Sequence, residues 1–419
     1  MVSEMKDSMI ELRAEDCANA AAIQSAIDDL GATGGVVQLP ALELTLDRGL
    51  ELHTGVSLRG RGEKTILRKG PSRVYPTTGY HNYGMKDVPL QSADGLEVGM
   101  TVSVLDDNKR GFAATFARIT WIDDDWVGLD RGCDSDYYPE GNPRLVTAYP
   151  MIFGHNVDNV SVHDLVLDGN LPENPDPMDG CRGSSMYFCG CDKLEINGVH
   201  ESNYSGEGLG FQMCTRSTIR NSSFDNNTGN AIHPGAGTTD ALVENCRANG
   251  NGWSGFTFCV RANHITVRGC TFSKNEKPGI SIGTRDSYNL IEDCEIHDNG
   301  GAGIDVRKEP WPSLLTACTF RGCRLSGNAH DTGHGQIDVA GDAHDIIIED
   351  NTLDGGGRTY GVVTVDEVES VFVGHNEFVN CKAETKGDGF TDARPDIKCG
   401  HEVTQPGHYR HLVGTTALT

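Results

Sequence analysis

Gly279-Ile-Ser-Ile282 and Gly303-Ile-Asp-Val306 stand twenty-four residues apart and share one pattern, a glycine followed by a short run that alternates apolar and polar positions. The same pattern, with alanine in place of glycine in one case, opens five further segments, which begin at Gly208, Ala231, Gly255, Gly335 and Gly361. A second short apolar run and a polar turn follow each segment, as in Asn249-Gly-Asn-Gly252. Short strands that repeat at a near-constant period are typical of a solenoid of stacked coils.

One position of the second run recurs at intervals of 24 to 29 residues. It is occupied by Ser222, Cys246, Cys270, Cys294, Cys323, Asn351 and Asn376. With one strand per rung, these side chains should stack roughly 4.8 Å apart as a ladder that points inward. Buried free cysteine usually behaves as a small apolar residue, and a metal-binding or redox row is the alternative. The pattern predicts an all-β fold, a single-stranded right-handed parallel β-helix.

The N-terminal region has a different pattern. Residues 16–30 carry apolar side chains at helical spacing and end at Gly31, which predicts an α-helix that caps the solenoid. Between residues 71 and 150 the repeat is lost, and Val98–Leu105, Phe116–Ile122 and Trp126–Leu129 predict a small antiparallel β insertion. We therefore divide the chain into a cap with the first coils (1–70), the insertion (71–150), the coils (151–384) and a C-terminal tail (385–419).

Three N-terminal segments carry a family resemblance. Ala21-Ala-Ile-Gln-Ser-Ala-Ile-Asp28, Gly34-Gly-Val-Val-Gln-Leu-Pro40 and Val56-Ser-Leu-Arg-Gly-Arg-Gly62 resemble the opening of the pectate-lyase superfamily. That superfamily comprises β-helical polysaccharide lyases, polygalacturonase-type hydrolases, uronan epimerases and phage tailspikes. The resemblance implies the same fold and a carbohydrate ligand. This chain has Pro40-Ala-Leu-Glu43 where the family usually has Pro-Gly-x-Tyr.

Composition excludes several classes of partner. The 419 residues include 60 acidic and 35 basic side chains, a net charge of -25, which argues against a nucleic-acid partner. No stretch approaches the roughly 20 apolar residues of a membrane helix, so we expect no membrane partner. Residues 1–15 lack the layout of a signal peptide, and many free cysteines are easier to keep reduced in the cytosol, so we expect a cytoplasmic protein, or a secreted one whose leader was trimmed.

Candidate site residues emerge from the outward positions of the first strand of each repeat. One column reads Gly210, His233, Thr257, Ser281, Asp305 and Asp338, and the next reads Gln212, Gly235, Cys259, Gly283, Arg307 and Ala340. Arg261, Arg285 and Lys308 follow at the ends of these strands, and Trp253 lies in a turn that borders them. The basic groups gather where an anionic sugar chain would lie, and the glycines should leave room for it. A ladder of ordinary surface charges is the alternative.

Elimination across a uronate is the first chemistry that these residues suggest. Its carboxylate must be neutralised before a base can remove the C5 proton. Arg307 or Lys308 would neutralise the carboxylate, and His233 or a desolvated Lys308 would act as the base. No cofactor is certain, but Asp305 and Asp338 would offer oxygen ligands to a calcium ion. We therefore predict a polysaccharide lyase that acts on an acidic polysaccharide or oligosaccharide.

Hydrolysis or transglycosylation is the second possibility. Asp305 and Asp338 should lie about 5 Å apart on neighbouring rungs, where mutual repulsion raises the pKa of one carboxyl group. A protonated carboxyl group beside an ionised one is what glycoside cleavage requires. The pectin-hydrolase motifs Asn-Thr-Asp, Asp-Asp and Arg-Ile-Lys are missing, as is the epimerase motif Asp-Pro-His.

Other residues could contribute to substrate binding. Trp253 and Trp311 would stack on sugar rings or pack internally, and Arg261, Arg285 and Gln212 would bind substrate. His334 lies near the end of the glycine-rich turn Thr332-Gly-His-Gly335, where it is either catalytic or merely solvated. A non-catalytic carbohydrate-binding protein of the tailspike or adhesin type is the third functional hypothesis, although the long apolar contacts of tailspike trimers are absent from the sequence.

Overall fold

The computed structural model describes residues 8–79, 83–175, 178, 180–308, 315–331 and 333–401. They form a right-handed parallel β-helix with one α-helix and a small antiparallel sheet, as the sequence predicts. Two packed units are present: the first comprises Met1–Gly154, His163–Tyr187 and His200–Gly210, and the second comprises His155–Val162, Phe188–Val199 and Phe211–Thr419. No helix in the described ranges is long and apolar enough to span a membrane.

The predicted cap helix, α1 (Ala20–Asp29), begins in the first unit at Asn19, whose side chain accepts a hydrogen bond from the Ala22 amide at 2.9 Å. This N-cap starts the helix later than the apolar spacing suggested, and residues 14–16 form a 3₁₀ turn instead. The Gln24 side chain binds both the amide and the carbonyl of Glu51, at 2.8 and 3.0 Å. Ile23 and Ile27 are fully buried beneath the helix.

The remaining elements of the first unit are short. Its parallel strands are Met9–Glu11, Gly35–Gln38, Leu42–Leu46, Leu50–Glu51, Val56–Arg59 and Thr65–Lys69. The predicted antiparallel insertion is confirmed and has six strands, namely Val74–Pro76, Asp87–Pro89, Thr101–Leu105, Thr115–Asp123, Trp126–Leu129 and Arg144–Val146. Further 3₁₀ turns are Gly111–Ala113, Pro139–Gly141, Leu171–Glu173 and Cys181–Gly183. Five strands contain residues of both units: Ile152–His155, Ser161–Asp168, Ser184–Cys189, Glu195–Ser202 and Glu207–Gln212.

Three parallel sheets build the coils of the second unit. The first sheet contains Ile232–Gly235, Phe256–Thr257, Ile280–Ile282, Ile304–Val306, Gly335–Val339, Tyr360–Thr364 and Thr385–Lys386. The second sheet contains Thr215–Arg220, Thr239–Glu244, Asn263–Arg268, Leu290–Glu292, Thr316–Arg321, His344–Glu349, Glu369–Gly374 and Phe390–Thr391. The third sheet contains Ser223–Asp225, Arg247–Asn249, Thr271–Ser273, Glu295–His297, Arg324–Ser326, Thr352–Asp354 and Glu377–Val379. Coil pairing therefore continues a few residues beyond the predicted limit at 384.

Two inward ladders fill the corners of these coils. The predicted cysteine ladder is present: the Cys246 amide donates to Cys270 Sγ at 3.4 Å, and the Cys323 amide donates to Asn351 Oδ1 at 2.9 Å. A second ladder, which the sequence pattern indicated only as polar turns, runs through Asn251, Asn275, Asn299 and Asn328. Each of the first three side-chain amides donates to the next asparagine at 2.9 Å, so these buried polar groups are satisfied. All fourteen cysteines lie among the described residues and are free thiols.

The C-terminal tail covers the second sheet as far as His401. Arg394 makes two 2.8 Å hydrogen bonds to the Glu349 carboxylate, and the Gly400 amide donates to the Tyr288 carbonyl at 2.8 Å. Gly400 has φ +100°, and a β-carbon there would lie 2.5 Å from Thr266 Oγ1, so only glycine fits this crossing. The outward residues Leu290 and Ile347 are consequently buried.

Candidate functional site

The outward column of the first sheet has the predicted registration. Thr257 pairs with Ser281, Ser281 pairs with Asp305, and Asp305 pairs with Asp338 on successive parallel strands. Because neighbouring strands lie about 4.8 Å apart, the two aspartates project side by side from one face. We call Asp305 and Asp338 the carboxylate pair.

Both carboxyl groups of the pair are harder to ionise than an ordinary aspartic acid. Burial, followed by the neighbouring charge of Asp338, raises the pKa of Asp305 to about 6. Burial also raises the pKa of Asp338. Mutual repulsion was the predicted cause of such a shift, but loss of solvent is the larger cause.

Asp338 differs from Asp305 in its hydrogen-bond donors. Its Oδ1 accepts the Gly335 amide at 2.7 Å, and its Oδ2 contacts Nδ1 of His334. Both contacts favour the ionised carboxylate and oppose the effect of burial. In return, the hydrogen bond to Asp338 raises the pKa of His334. His334 is therefore a partner of the carboxylate pair and not a merely solvated turn residue.

His233 lies on the same face as the carboxylate pair but is not next to it. Ile232 pairs with Phe256, which aligns His233 with Thr257 and puts it three rungs before Asp305. Three spacings of roughly 4.8 Å separate the backbones of His233 and Asp305 by about 14 Å. His233 is buried, with 5% of its surface exposed. It cannot act on the same glycosidic bond as Asp305 and Asp338.

The side chain of Arg307 extends from its own rung towards the rung of Phe258. Its guanidinium donates to Ser281 Oγ at 2.9 Å and to the Phe258 carbonyl at 3.0 Å. The space at Gly283 is filled by this guanidinium, because a β-carbon at Gly283 would lie 2.6 Å from Nη2. Arg307 thus lies between the carboxylate pair and His233.

Asp286 is a buried carboxyl group that is not among the predicted site residues. Its two carboxylate oxygens accept the amides of Ala262 and Gly283, each at 2.9 Å. Burial raises its pKa to about 7, while the charges of Arg307 and His233 act in the opposite direction. Asp286 therefore interacts electrostatically with both Arg307 and His233, which are two of the predicted site residues. The sequence signal for Asp286 is its position directly after Arg285, in the turn that follows a first-sheet strand.

Lys308 is placed differently from the prediction. Its ammonium group is exposed and forms an ion pair with Asp366 at 3.0 Å. Lys308 is therefore not a desolvated lysine that could act as the base.

The remaining predicted residues border the first sheet. Arg261 and Arg285 are exposed in turns after two successive strands, and the Arg261 amide donates to the Thr284 carbonyl at 3.0 Å. Trp253 lies in the turn before Phe256–Thr257 and is 59% exposed. Gln212 is buried, and its side-chain amide lies 3.2 Å from where a β-carbon at Gly235 would be. Trp311 is outside the described residues.

The glycines of these columns accommodate protein atoms and do not form open space. Gly283 makes room for Arg307, and Gly235 makes room for Gln212. In the first unit, Gly210 faces the Cys181 carbonyl and Ser184 Oγ, each 2.5 Å from where a β-carbon would lie. The expectation that these glycines leave room for sugar is therefore wrong.

The carboxylate pair is a poor cation site. Within the described ranges, no group of three or more His, Cys, Asp or Glu side chains is arranged to hold a metal ion. Both oxygens of Asp338 already accept hydrogen bonds, and burial disfavours the ionised form of Asp305. A calcium ion takes about six to eight oxygen ligands, more than these two carboxyl groups supply.

Comparisons with known proteins agree with this architecture. The family described as "Right handed beta helix region" matches residues 154–289, 184–353 and 258–394. Together these matches span more than half of the chain. No curated protein sequence matches the chain significantly.

Solved structures of similar fold include three polysaccharide-acting enzymes. The A-module of the mannuronan C-5 epimerase AlgE6 from Azotobacter vinelandii has a TM-score of 0.57 and 16% identity, covering 90% of this chain and 96% of its own. An exopolygalacturonase from Thermotoga maritima has a TM-score of 0.55 and 12% identity, covering 92% and 90%. An endo-xylogalacturonan hydrolase from Aspergillus tubingensis has a TM-score of 0.57 and 12% identity, covering 94% and 99%. At these identities the likeness concerns the fold.

Proposed function

This chain belongs to the right-handed β-helix family, and we propose on that basis that it is a carbohydrate-active enzyme that cleaves a glycosidic bond at Asp305 and Asp338. The observation that carries the proposal is the direct pairing of these two aspartates on adjacent strands, together with the raised pKa of each. Glycoside cleavage needs one protonated and one ionised carboxyl group.

The surroundings of the pair support a separate role for each carboxyl group. Asp305, with a pKa raised to about 6, keeps its proton in mildly acidic solution and donates it to the leaving glycosidic oxygen. Asp338, which accepts hydrogen bonds from His334 and Gly335, is the ionised partner. It attacks the anomeric carbon, and water then hydrolyses the glycosyl ester while Asp305 recovers its proton. The closeness of the pair favours this double displacement over a wide inverting site.

An acidic sugar chain is the substrate class that the basic residues favour. Arg261 and Arg285 stand exposed at one edge of the first sheet of a protein with net charge -25, and Trp253 stands exposed at the other edge. Arginine pairs with carboxylates through two parallel hydrogen bonds. The names of the neighbouring enzymes refer to mannuronan, polygalacturonan and xylogalacturonan, which supports a polysaccharide partner on this fold.

Elimination across a uronate is the second candidate, and the position of Arg307 favours it. The guanidinium reaches back to the rung of Phe258, towards His233, and both residues act electrostatically on Asp286. In this scheme Arg307 neutralises the sugar carboxylate and His233 removes the C5 proton as the C4–O bond breaks. The protonated His233 then returns that proton to the leaving oxygen, and Asp305 and Asp338 stay outside the reaction. Lys308 takes no part, since it pairs with Asp366.

Product analysis tests the proposal. The protein is incubated with a panel of polyuronates and neutral glycans while absorbance near 230 nm and new reducing ends are followed. We expect new reducing ends without a rise in absorbance. Rising absorbance means an unsaturated product and supports elimination, whereas measurable binding with neither signal means a non-catalytic carbohydrate-binding protein.

A further inference from the structure

A cluster of two lysines and a tyrosine lies beyond the carboxylate pair in the first sheet. The ammonium groups of Lys382 and Lys386 lie 5.4 and 5.0 Å from the centre of the Tyr360 ring. Ammonium groups at this distance attract the face of an aromatic ring. We refer to Tyr360, Lys382 and Lys386 as the lysine–tyrosine cluster.

The cluster follows the carboxylate pair along the same sheet. Tyr360 pairs with Gly335 at the start of the Asp338 strand, and Val363 pairs with both Asp338 and Lys386. The outward column therefore continues from Asp338 through Val363 to Lys386. Two spacings of roughly 4.8 Å separate the backbones of Asp338 and Lys386 by about 10 Å. Burial raises the pKa of Asp338, and the charge of Lys386 acts on the same carboxyl group in the opposite direction.

The chemistry of the cluster suits an acidic sugar. A lysine ammonium is a compact charge on a flexible stem that pairs readily with a carboxylate. An aromatic ring offers an apolar face on which a sugar ring can stack. Val363, between Asp338 and Lys386 in this column, is almost fully buried, whereas Lys382 and Lys386 are exposed to solvent.

We propose that the lysine–tyrosine cluster is a subsite that binds the carboxylate of a uronate residue next to the bond cleaved at the carboxylate pair. The inference rests on the proposed function, because it assumes a sugar chain that lies along the outward column. A chain that has its scissile bond at Asp305 and Asp338 and follows the outward column brings a neighbouring sugar to Lys386 and Tyr360. The cluster thereby selects an acidic substrate over a neutral one.

Binding measurements test this subsite without relying on turnover. Isothermal titration calorimetry compares hexamers of galacturonate, mannuronate and guluronate with the neutral maltohexaose at low salt. The variants are Lys382→Ala/Lys386→Ala, Tyr360→Ala and the matched control Lys274→Ala, whose lysine is exposed at the end of the third sheet. We expect the double lysine variant to bind the preferred hexauronate about tenfold more weakly, with the difference vanishing at high salt. The control should bind as the wild type does.

Each other result overturns the inference. Unchanged affinity in the double variant, equal loss for maltohexaose, or no binding of any hexauronate by the wild type means that the cluster is an ordinary cation–π surface contact. Asp305→Asn separates this failure from failure of the proposed function. If Asp305→Asn keeps full turnover while the lysine variant loses affinity, the catalytic assignment is wrong and the subsite stands.

Discussion

Asp305 and Asp338 are direct partners on adjacent parallel strands, although thirty-three residues separate them in the chain. Asp338 accepts hydrogen bonds from His334 and Gly335, while the pKa of Asp305 is raised to about 6 by burial and by its neighbour. Stacking of coils thus gives two chemically identical side chains different proton affinities. This difference is the basis of the proposed acid and nucleophile roles.

The dependence of activity on pH should follow from that asymmetry. We expect kcat/KM to fall above about pH 6, where Asp305 loses its proton, and to fall again in more acidic solution, where Asp338 gains one. The two limbs belong to the coupled pair. A pH profile of kcat/KM on the preferred substrate checks this expectation, and an optimum well above pH 8 would contradict it.

His334→Ala should move the acidic limb of that profile. The His334 contact lowers the pKa of Asp338, so its removal should shift the limb to higher pH and narrow the optimum. A histidine with a structural role alone would lower stability but leave the limb in place.

Asp305→Asn should make the protein more stable at neutral pH. The folded-state pKa of Asp305 lies above its ordinary value, so ionisation costs the folded state free energy. Stability from this group is complete below about pH 4 and is lost as the pH rises through 6. We expect a gain of roughly 1–3 kcal/mol at pH 7.5 and little change at pH 4. Thermal melts at both pH values, with Asp350→Asn at the end of a second-sheet strand as the matched control, measure the difference; an equal effect at both would contradict it.

The sequence predicted which strands stack on one another, but not where the ends of long side chains lie. A period near 24 residues and two-residue alternation fix which residues share a column, so the pairing of Asp305 with Asp338 was predictable. The same count puts His233 in that column, but three rungs before Asp305. Arg307 was expected beside Asp305, and its guanidinium instead extends over Gly283 to Phe258.

Other features had no periodic signal to reveal them. Asp286 functions through burial and two backbone donors in a turn, and neither depends on alternation. Lys386 lies where the repeat ends and the tail was expected to begin. The strands Val74–Pro76 and Arg144–Val146 are only three residues long, which is too short for alternation to show.

Thiol reactivity should report the burial of the cysteine ladder. Cys246, Cys270, Cys294 and Cys323 are buried, and burial raises the pKa of Cys270 and Cys294. Only four of the fourteen cysteines, all of them within the described ranges, are partly exposed, namely Cys189, Cys259, Cys381 and Cys399. We expect a water-soluble thiol reagent to label at most these four in the native protein and all fourteen after denaturation. Rapid labelling of the ladder in the native protein would contradict the coil register.

The tail should loosen when its ion pair is removed. Arg394→Ala leaves Glu349 without two 2.8 Å hydrogen bonds, and a half-exposed pair of this kind contributes at most about 1 kcal/mol. We expect faster amide exchange at Gly400 and His401, whose amides bind the Tyr288 carbonyl and Thr266. Arg324→Ala on the third sheet is the control and should leave this exchange unchanged. Equal exchange in Arg394→Ala and the wild type would mean that Arg394 does not hold the tail.

Turnover by Asp305→Asn and Asp338→Asn, measured beside Asp350→Asn on the preferred polysaccharide, tests the central claim most directly. If the carboxylate pair is the acid and nucleophile, each of the first two variants loses at least about a hundredfold in kcat, and Asp350→Asn keeps wild-type activity. Circular dichroism and thermal melts must show all three folded. Full turnover by either Asp305→Asn or Asp338→Asn would contradict the assignment of this pair as the catalytic centre.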